Sequence, residues 1–128
     1  MTDTLRTPLS RVRGHGSAKT GTGHFIAQRV SAIALAILLP YLVIYAALNL
    51  GPGYDGARAW VGQPLVAAPL LLALFAALYH MQIGMQVVIE DYFARPGGKG
   101  LLLILNAFVA LALAAAGGFA ILKLSLGA

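Results

Sequence analysis

Polar and charged side chains crowd into the first two dozen positions of this 128-residue chain and then become scarce. Three long apolar runs follow, separated by two short stretches rich in Gly, Pro and charge. The first run, "FIAQRVSAIALAILLPYLVIYAALNL", predicts a span over about 25–50, and the 21 residues from Val30 to Leu50 carry no charge. At about 1.5 Å per residue, that stretch covers the roughly 30 Å hydrocarbon core of a bilayer. Pro40 lies inside it, where a membrane helix tolerates a kink. "NLGPGYDG" then supplies a turn, and Trp60 suits an interfacial anchor. A second span is predicted over about 66–92. Pro64 or Pro69 suits its first turn, where no N–H is missed, and "ARPGGKG" ends it. The third span covers about 101–123, with Asn106 its only strongly polar interior side chain. Gly117 and Gly118 stand where a neighbouring helix can come close.

Composition agrees with lipid as the main solvent. The chain is 59% hydrophobic and 10% charged, against about a quarter charged in a globular protein. It has no cysteine, which excludes disulfides, thiolate chemistry, Cys-type zinc sites and iron–sulfur ligation by this chain. A net charge of +5 raises the question of nucleic acid, but Arg6, Arg11, Arg13, Lys19 and Arg29 are scattered rather than clustered. A membrane-flanking basic segment accounts for them, and no nucleic-acid partner is expected. Residues 1–24 are read as a retained cytoplasmic segment with little structure of its own, since the apolar run behind them is too long for a signal peptide. Seven Lys and Arg (the five above, Arg95 and Lys99) fall on one side, against Arg58 and Lys123 on the other. The N-terminus therefore belongs in the cytoplasm and the C-terminus outside. The expected fold is an all-α membrane protein, with residues 25–128 forming a three-helix transmembrane anchor.

Chemistry concentrates in "YHMQIGMQVVIEDY" on the second span. Eleven residues separate Pro69 from His80, and eleven more separate His80 from Asp91, about 16 Å of helix each way. The imidazole thus lies near mid-membrane. Eleven steps of 100° return to within about 20° of the start, so His80, Gly84, Val87 and Asp91 share one face. A Gly one turn from an imidazole leaves room for a flat group near the backbone. An ionisable residue at this depth faces the bundle interior by default. His80 can ligate haem iron through one ring nitrogen, relay protons, or cross-link helices by hydrogen bonds. A relay needs titratable groups at one-turn intervals, and residues 81–89 offer none. If His80 holds haem, a second axial ligand must come from a partner, because His15 and His24 lie too far up and Met81 and Met85 share its helix. Asp91 and Tyr92 form an acid–phenol pair at the cytoplasmic interface, suited to a quinone carbonyl or to plain interfacial anchoring. Glu90 points to another face, solvated or paired with Arg95 or Lys99. Arg29, one turn into the first span, either snorkels to phosphates or faces a haem propionate or the quinone region. His24 and Ser31 share its neighbourhood with weaker claims. No nucleotide loop, serine triad, paired catalytic carboxylates or metal-hydrolase motif is present.

"GTGHFIAQRVSAIAL", the three-span plan and "YHMQIGMQVVIEDY" together resemble the smaller, D-type hydrophobic membrane anchor subunit of succinate dehydrogenase, respiratory complex II, over about residues 14–125. Its most specific part is the His-x10-Asp-Tyr spacing on the second helix behind that N-terminal signature. The resemblance implies a bacterial inner-membrane subunit, not catalytic alone, packed with a C-type anchor into a helix bundle. It also implies an iron–sulfur subunit that delivers electrons and a flavoprotein subunit that oxidises succinate. By the same resemblance His80 is an axial ligand of haem b, shared with the C-type subunit. Tyr92 donates a hydrogen bond to ubiquinone, Asp91 supports that site and proton delivery, and Arg29 sits near the haem propionates. Two other readings remain: a haem-free structural anchor of this or a fumarate-reducing complex, and a small proton-conducting or transport bundle.

Overall fold

The computed structural model describes residues 7–9 and 21–127; Arg6, Arg11, Arg13, His15, Lys19 and most of the expected N-terminal segment lie outside them. Four helices carry the architecture: α1 (Gly21–Asn49), α2 (Gly53–Val61), α3 (Pro64–Tyr92) and α4 (Pro96–Ser125). The three long ones have 29, 29 and 30 residues, with mean hydropathies of 2.3, 1.8 and 2.3 over their most apolar windows. At about 1.5 Å per residue they are about 44 Å long, enough to cross the headgroup zones as well as the hydrocarbon. The three expected spans are therefore present, each longer than its apolar run. Residues 21–24, assigned above to the polar segment, already form the first turn of α1.

Helix α3 packs against both α1 and α4, and α2 touches α3 and α4. The chain's own core lies between α1 and α3, where Leu42, Val66 and Ala73 are buried beneath Leu38, Tyr45, Trp60 and Leu70. Only 6–17% of the most apolar window of each span is buried within the chain. The remaining apolar surface suits lipid or neighbouring protein, since water would make its exposure costly.

Prolines organise the outer end of this core. Helix α1 continues through Pro40 without a break. Pro64 occupies the first turn of α3, whereas Pro69 lies within the helix. Lacking an N–H, Pro69 leaves the carbonyl of Leu65, four residues back, without its helical donor. The Tyr41 hydroxyl donates to that carbonyl at 2.9 Å. One turn along α1, Tyr45 stacks on Tyr41 with centroids 5.8 Å apart, and its hydroxyl donates to Gln63 Oε1 at 3.0 Å. A proline defect in one helix is thereby answered by a phenol from the next.

The first connection departs from the expected turn. Leu50–Pro52 is non-helical, α2 follows at once, starting at Gly53 with a φ of 71°, and Gly62–Gln63 links it to α3. The helix is amphipathic: Gly56, Ala57, Trp60 and Val61 face inward, while Tyr54, Asp55 and Arg58 are exposed. A Cβ on Gly56 would collide with the Gly51 carbonyl, so glycine permits the close return of the chain. Trp60, expected as an interfacial anchor, is turned into the core, with its indole N–H buried and unpartnered.

The second connection is shorter than expected. The Phe93 N–H donates to the Ile89 carbonyl at 3.2 Å, and Phe93–Arg95 is the whole link. "PGGKG" does not remain loop: Pro96 opens α4, because its fixed φ suits a first helical turn. Lys99 folds back, its Nζ donating to the main-chain carbonyl of Glu90 at 2.9 Å, while the Glu90 carboxylate accepts from Gln86. Asn106 donates from α4 to the Gln82 carbonyl of α3 at 2.9 Å. Higher up, a Cβ on Gly117 would stand 2.8 Å from Leu74 Cδ2, and one on Gly118 would stand 3.6 Å from the Phe75 ring. Gly117 lets α4 approach α3 closely, whereas Gly118 has room for a methyl group.

Candidate functional site

His80 lies 16 residues from the start of α3 and 12 from its end, about 24 Å and 18 Å along the helix. It is half-buried and turned towards α1. Its Nδ1 is 3.0 Å from Ser31 Oγ, and its Nε2 is 3.3 Å from Gln28 Nε2. Both ring nitrogens thus meet side chains 49 and 52 residues away in sequence. Ser31 is 6% exposed and also lies within hydrogen-bond reach of the Ala27 and Gln28 carbonyls, at 2.9 and 3.0 Å. Gln28 keeps its Oε1 buried without a partner.

On the Gln28 side, a groove of about 330 Å³ runs between α1 and α3, lined by His24, Phe25, Gln28, Ile83, Gly84 and Val87. Gly84 lines it without a side chain, and a Cβ there would sit in ordinary contact, 3.7 Å from the Gln28 amide nitrogen. Arg29 is exposed and places its guanidinium over the Phe25 ring, 5.2 Å from the centroid, so it reaches the groove's rim through an aromatic wall. Asp91 and Tyr92 end α3, and both are exposed, Tyr92 at 82%. Tyr92 lies 12 residues, about 18 Å, from His80, so the acid–phenol pair and the imidazole are separate stations on one helix. A larger apolar groove of about 760 Å³, containing Val30, Leu38, Phe75 and Tyr79, opens between α1 and α3 and reaches Ser31.

Among the described residues no group of three or more His, Cys, Asp or Glu comes together, and the imidazoles at this seam are His80 and, on the groove's wall, His24. The structure gathers His80, Gly84 and the Phe25–Arg29 pair around the α1–α3 seam and leaves Asp91 and Tyr92 at the helix end. Gln28 and Ser31, which the apolar pattern of α1 does not single out, are the partners of His80. They lie three residues apart, a spacing that puts two polar side chains on one face of an otherwise apolar helix.

A helical membrane subunit emerges, with a mid-helix imidazole at a helix seam and most of its apolar surface left for lipid or other subunits. Residues 3–116 match the family model described as succinate dehydrogenase/fumarate reductase transmembrane subunit, and the chain belongs to that family. Relatives agree. The chain is 33% identical over 122 residues to the succinate dehydrogenase hydrophobic membrane anchor subunit of Paracoccus denitrificans, covering 95% of this chain and 94% of that one. It is 35% identical over 94 residues to the same-named subunit of Rickettsia bellii, 73% of this chain and 75% of that one. For that of Rickettsia conorii the identity is 30% over 102 residues, 79% and 81% of the two chains. No solved structure matches. The coarse function follows: a membrane anchor subunit of succinate dehydrogenase, multi-pass in a bacterial inner membrane and associated there with the other subunits of its complex. Membership is consistent with haem b in general.

Proposed function

We propose that this anchor supplies one axial ligand to haem b through His80 and part of a ubiquinone-reducing site through Tyr92 and Asp91. The observation that carries the reading is the imidazole near mid-membrane, half-buried at the α1–α3 seam beside a groove. The local chemistry fits a ligand. One nitrogen of His80 has a firm partner in Ser31. The other faces only a long 3.3 Å contact with an amide whose own oxygen is orphaned. Such an amide is an easily displaced partner, because its current placement already leaves a buried acceptor unsatisfied. Haem b, when bound, supplies a one-electron carrier in the low-dielectric layer.

The chain's own residues divide the remaining work. His80 holds the iron, and Gly84 keeps space beside it. Arg29 brings a permanent positive charge to the propionates or the quinone region. Reduction of a quinone to a quinol takes two protons as well as two electrons, so that site belongs where water reaches. Tyr92 donates its O–H to a quinone carbonyl oxygen, and Asp91 hands on protons from the cytoplasmic water. With the N-terminus inside, α3 ends at the cytoplasmic face, where an iron–sulfur subunit and, beyond it, a succinate-oxidising flavoprotein subunit dock. A C-type anchor would pack with this subunit and bring a further ligand to the haem.

A haem-free structural anchor is the second reading. It is favoured by one observation: both nitrogens of His80 already have partners within the chain. Pigment analysis separates the two. The purified complex should show a reduced haem band that His80→Ala removes or alters, while oxidation of succinate by an artificial dye persists. A complex without haem would establish the structural reading instead, and an unchanged band in the variant would show that the haem is held by other ligands than His80.

A further inference from the structure

We infer that Ser31 is a positioning residue for His80: its hydroxyl oxygen accepts the Nδ1–H and holds the ring as the tautomer whose Nε2 carries the lone pair. The inference rests on the reading of His80 as an axial ligand. Proton counting carries it. Ser31 has one hydroxyl proton, and two main-chain carbonyls lie within 3.0 Å of its oxygen. Donation to either leaves an oxygen lone pair facing Nδ1 at 3.0 Å, so Nδ1 bears the proton in that contact. At the other end of the ring, the Gln28 amide nitrogen stands 3.3 Å from Nε2 and can only donate. Nε2 must therefore accept.

Both ends of the imidazole demand the same tautomer, and the protons run one way, from the Gln28 amide through the ring and Ser31 to a carbonyl of α1. A proton on Nε2 would set two donors face to face. Burial makes the arrangement durable, since Ser31 is 6% exposed and water does not compete for its oxygen. An acceptor on the remote nitrogen also fixes the ring's orientation and raises the basicity of the ligating one. A more basic imidazole favours ferric over ferrous iron, so removing the acceptor should raise the haem's midpoint potential.

The test uses the purified complex with Ser31→Ala, Ser31→Cys and Ser31→Thr, read by haem content, visible spectrum and redox titration. Thr keeps a hydroxyl, Cys offers a weak acceptor, and Ala offers none. The expected order is wild type equal to Thr, a positive shift for Cys, and a larger positive shift for Ala. A general packing defect would not sort potentials by acceptor strength. If Ser31→Ala fails to assemble, the Cys–Thr pair reads the same shift. Equal potentials with haem retained, or a negative shift, overturn the role of Ser31 and leave His80 as ligand intact. A wild-type complex without haem, or a His80→Ala complex with an unchanged band, overturns the reading of His80 and this inference with it.

Discussion

Consider Tyr92→Phe, which deletes one oxygen from a side chain at the end of α3. The ring is 82% exposed in this chain, and no described residue bonds its hydroxyl. Removing the hydroxyl therefore breaks no bond among the described residues, and the complex should assemble with unchanged heat stability. Its only cost falls on a quinone that accepts from it. A neutral hydrogen bond is worth about 0.5–1.5 kcal/mol net, so quinone reduction measured as kcat/KM should fall roughly 2- to 13-fold. His80 is about 18 Å further along the helix, so the haem spectrum should not move. The assay pairs succinate:quinone reductase activity with succinate oxidation by an artificial dye. Loss in the first and not in the second is the expected result. An unchanged quinone rate would refute the assignment of Tyr92, and equal loss in both would show that the phenol serves assembly.

Other expectations concern packing and orientation. Asn106→Leu removes the α4-to-α3 bond to the Gln82 carbonyl and should cost about 0.6–2 kcal/mol, seen as a lower thermal midpoint of the complex with its haem spectrum unchanged. A midpoint equal to wild type would mean that the bond contributes nothing. Gly117→Val pushes a branched side chain into Leu74, where even a Cβ would meet Cδ2 at 2.8 Å, and should destabilise by about 1–3 kcal/mol. Gly118→Ala makes an ordinary 3.6 Å contact with Phe75 and should be neutral in the same melt, so similar midpoints for the two variants would contradict the packing described. A reporter enzyme active only outside the cytoplasm should work when fused after Ala128, since seven of the nine Lys and Arg fall on the N-terminal side of the membrane. Activity of a cytoplasm-only reporter at that position would reverse the orientation.

The transport-bundle alternative gains no support in the structure. It needed a polar lane along more than one helix, and Asn106 spends its amide on a neighbouring main-chain carbonyl. What remains polar at the α1–α3 seam is a short local set, Gln28, Ser31 and His80, rather than a path through the membrane.

Read alone, the chain determined the features that depend on position along a line. Apolar run length against bilayer thickness yields three spans, charge asymmetry predicts an orientation, and an eleven-residue spacing predicts His80 deep and Asp91–Tyr92 at a surface. The tertiary structure decided everything that depends on how helices are rotated and slid against one another. Periodicity did not foresee that Tyr41 would supply a donor for the carbonyl left open by Pro69, or that Trp60 would turn inward on a short helix hidden in Gly- and Pro-rich sequence. The meeting of Ser31 and Gln28 with the two nitrogens of His80 is of the same kind. Lipid stabilises any apolar face equally well, so hydropathy says that a helix crosses the membrane and leaves open which face meets protein. That choice falls to close packing at small residues and to the few polar groups that must find one another where water is absent.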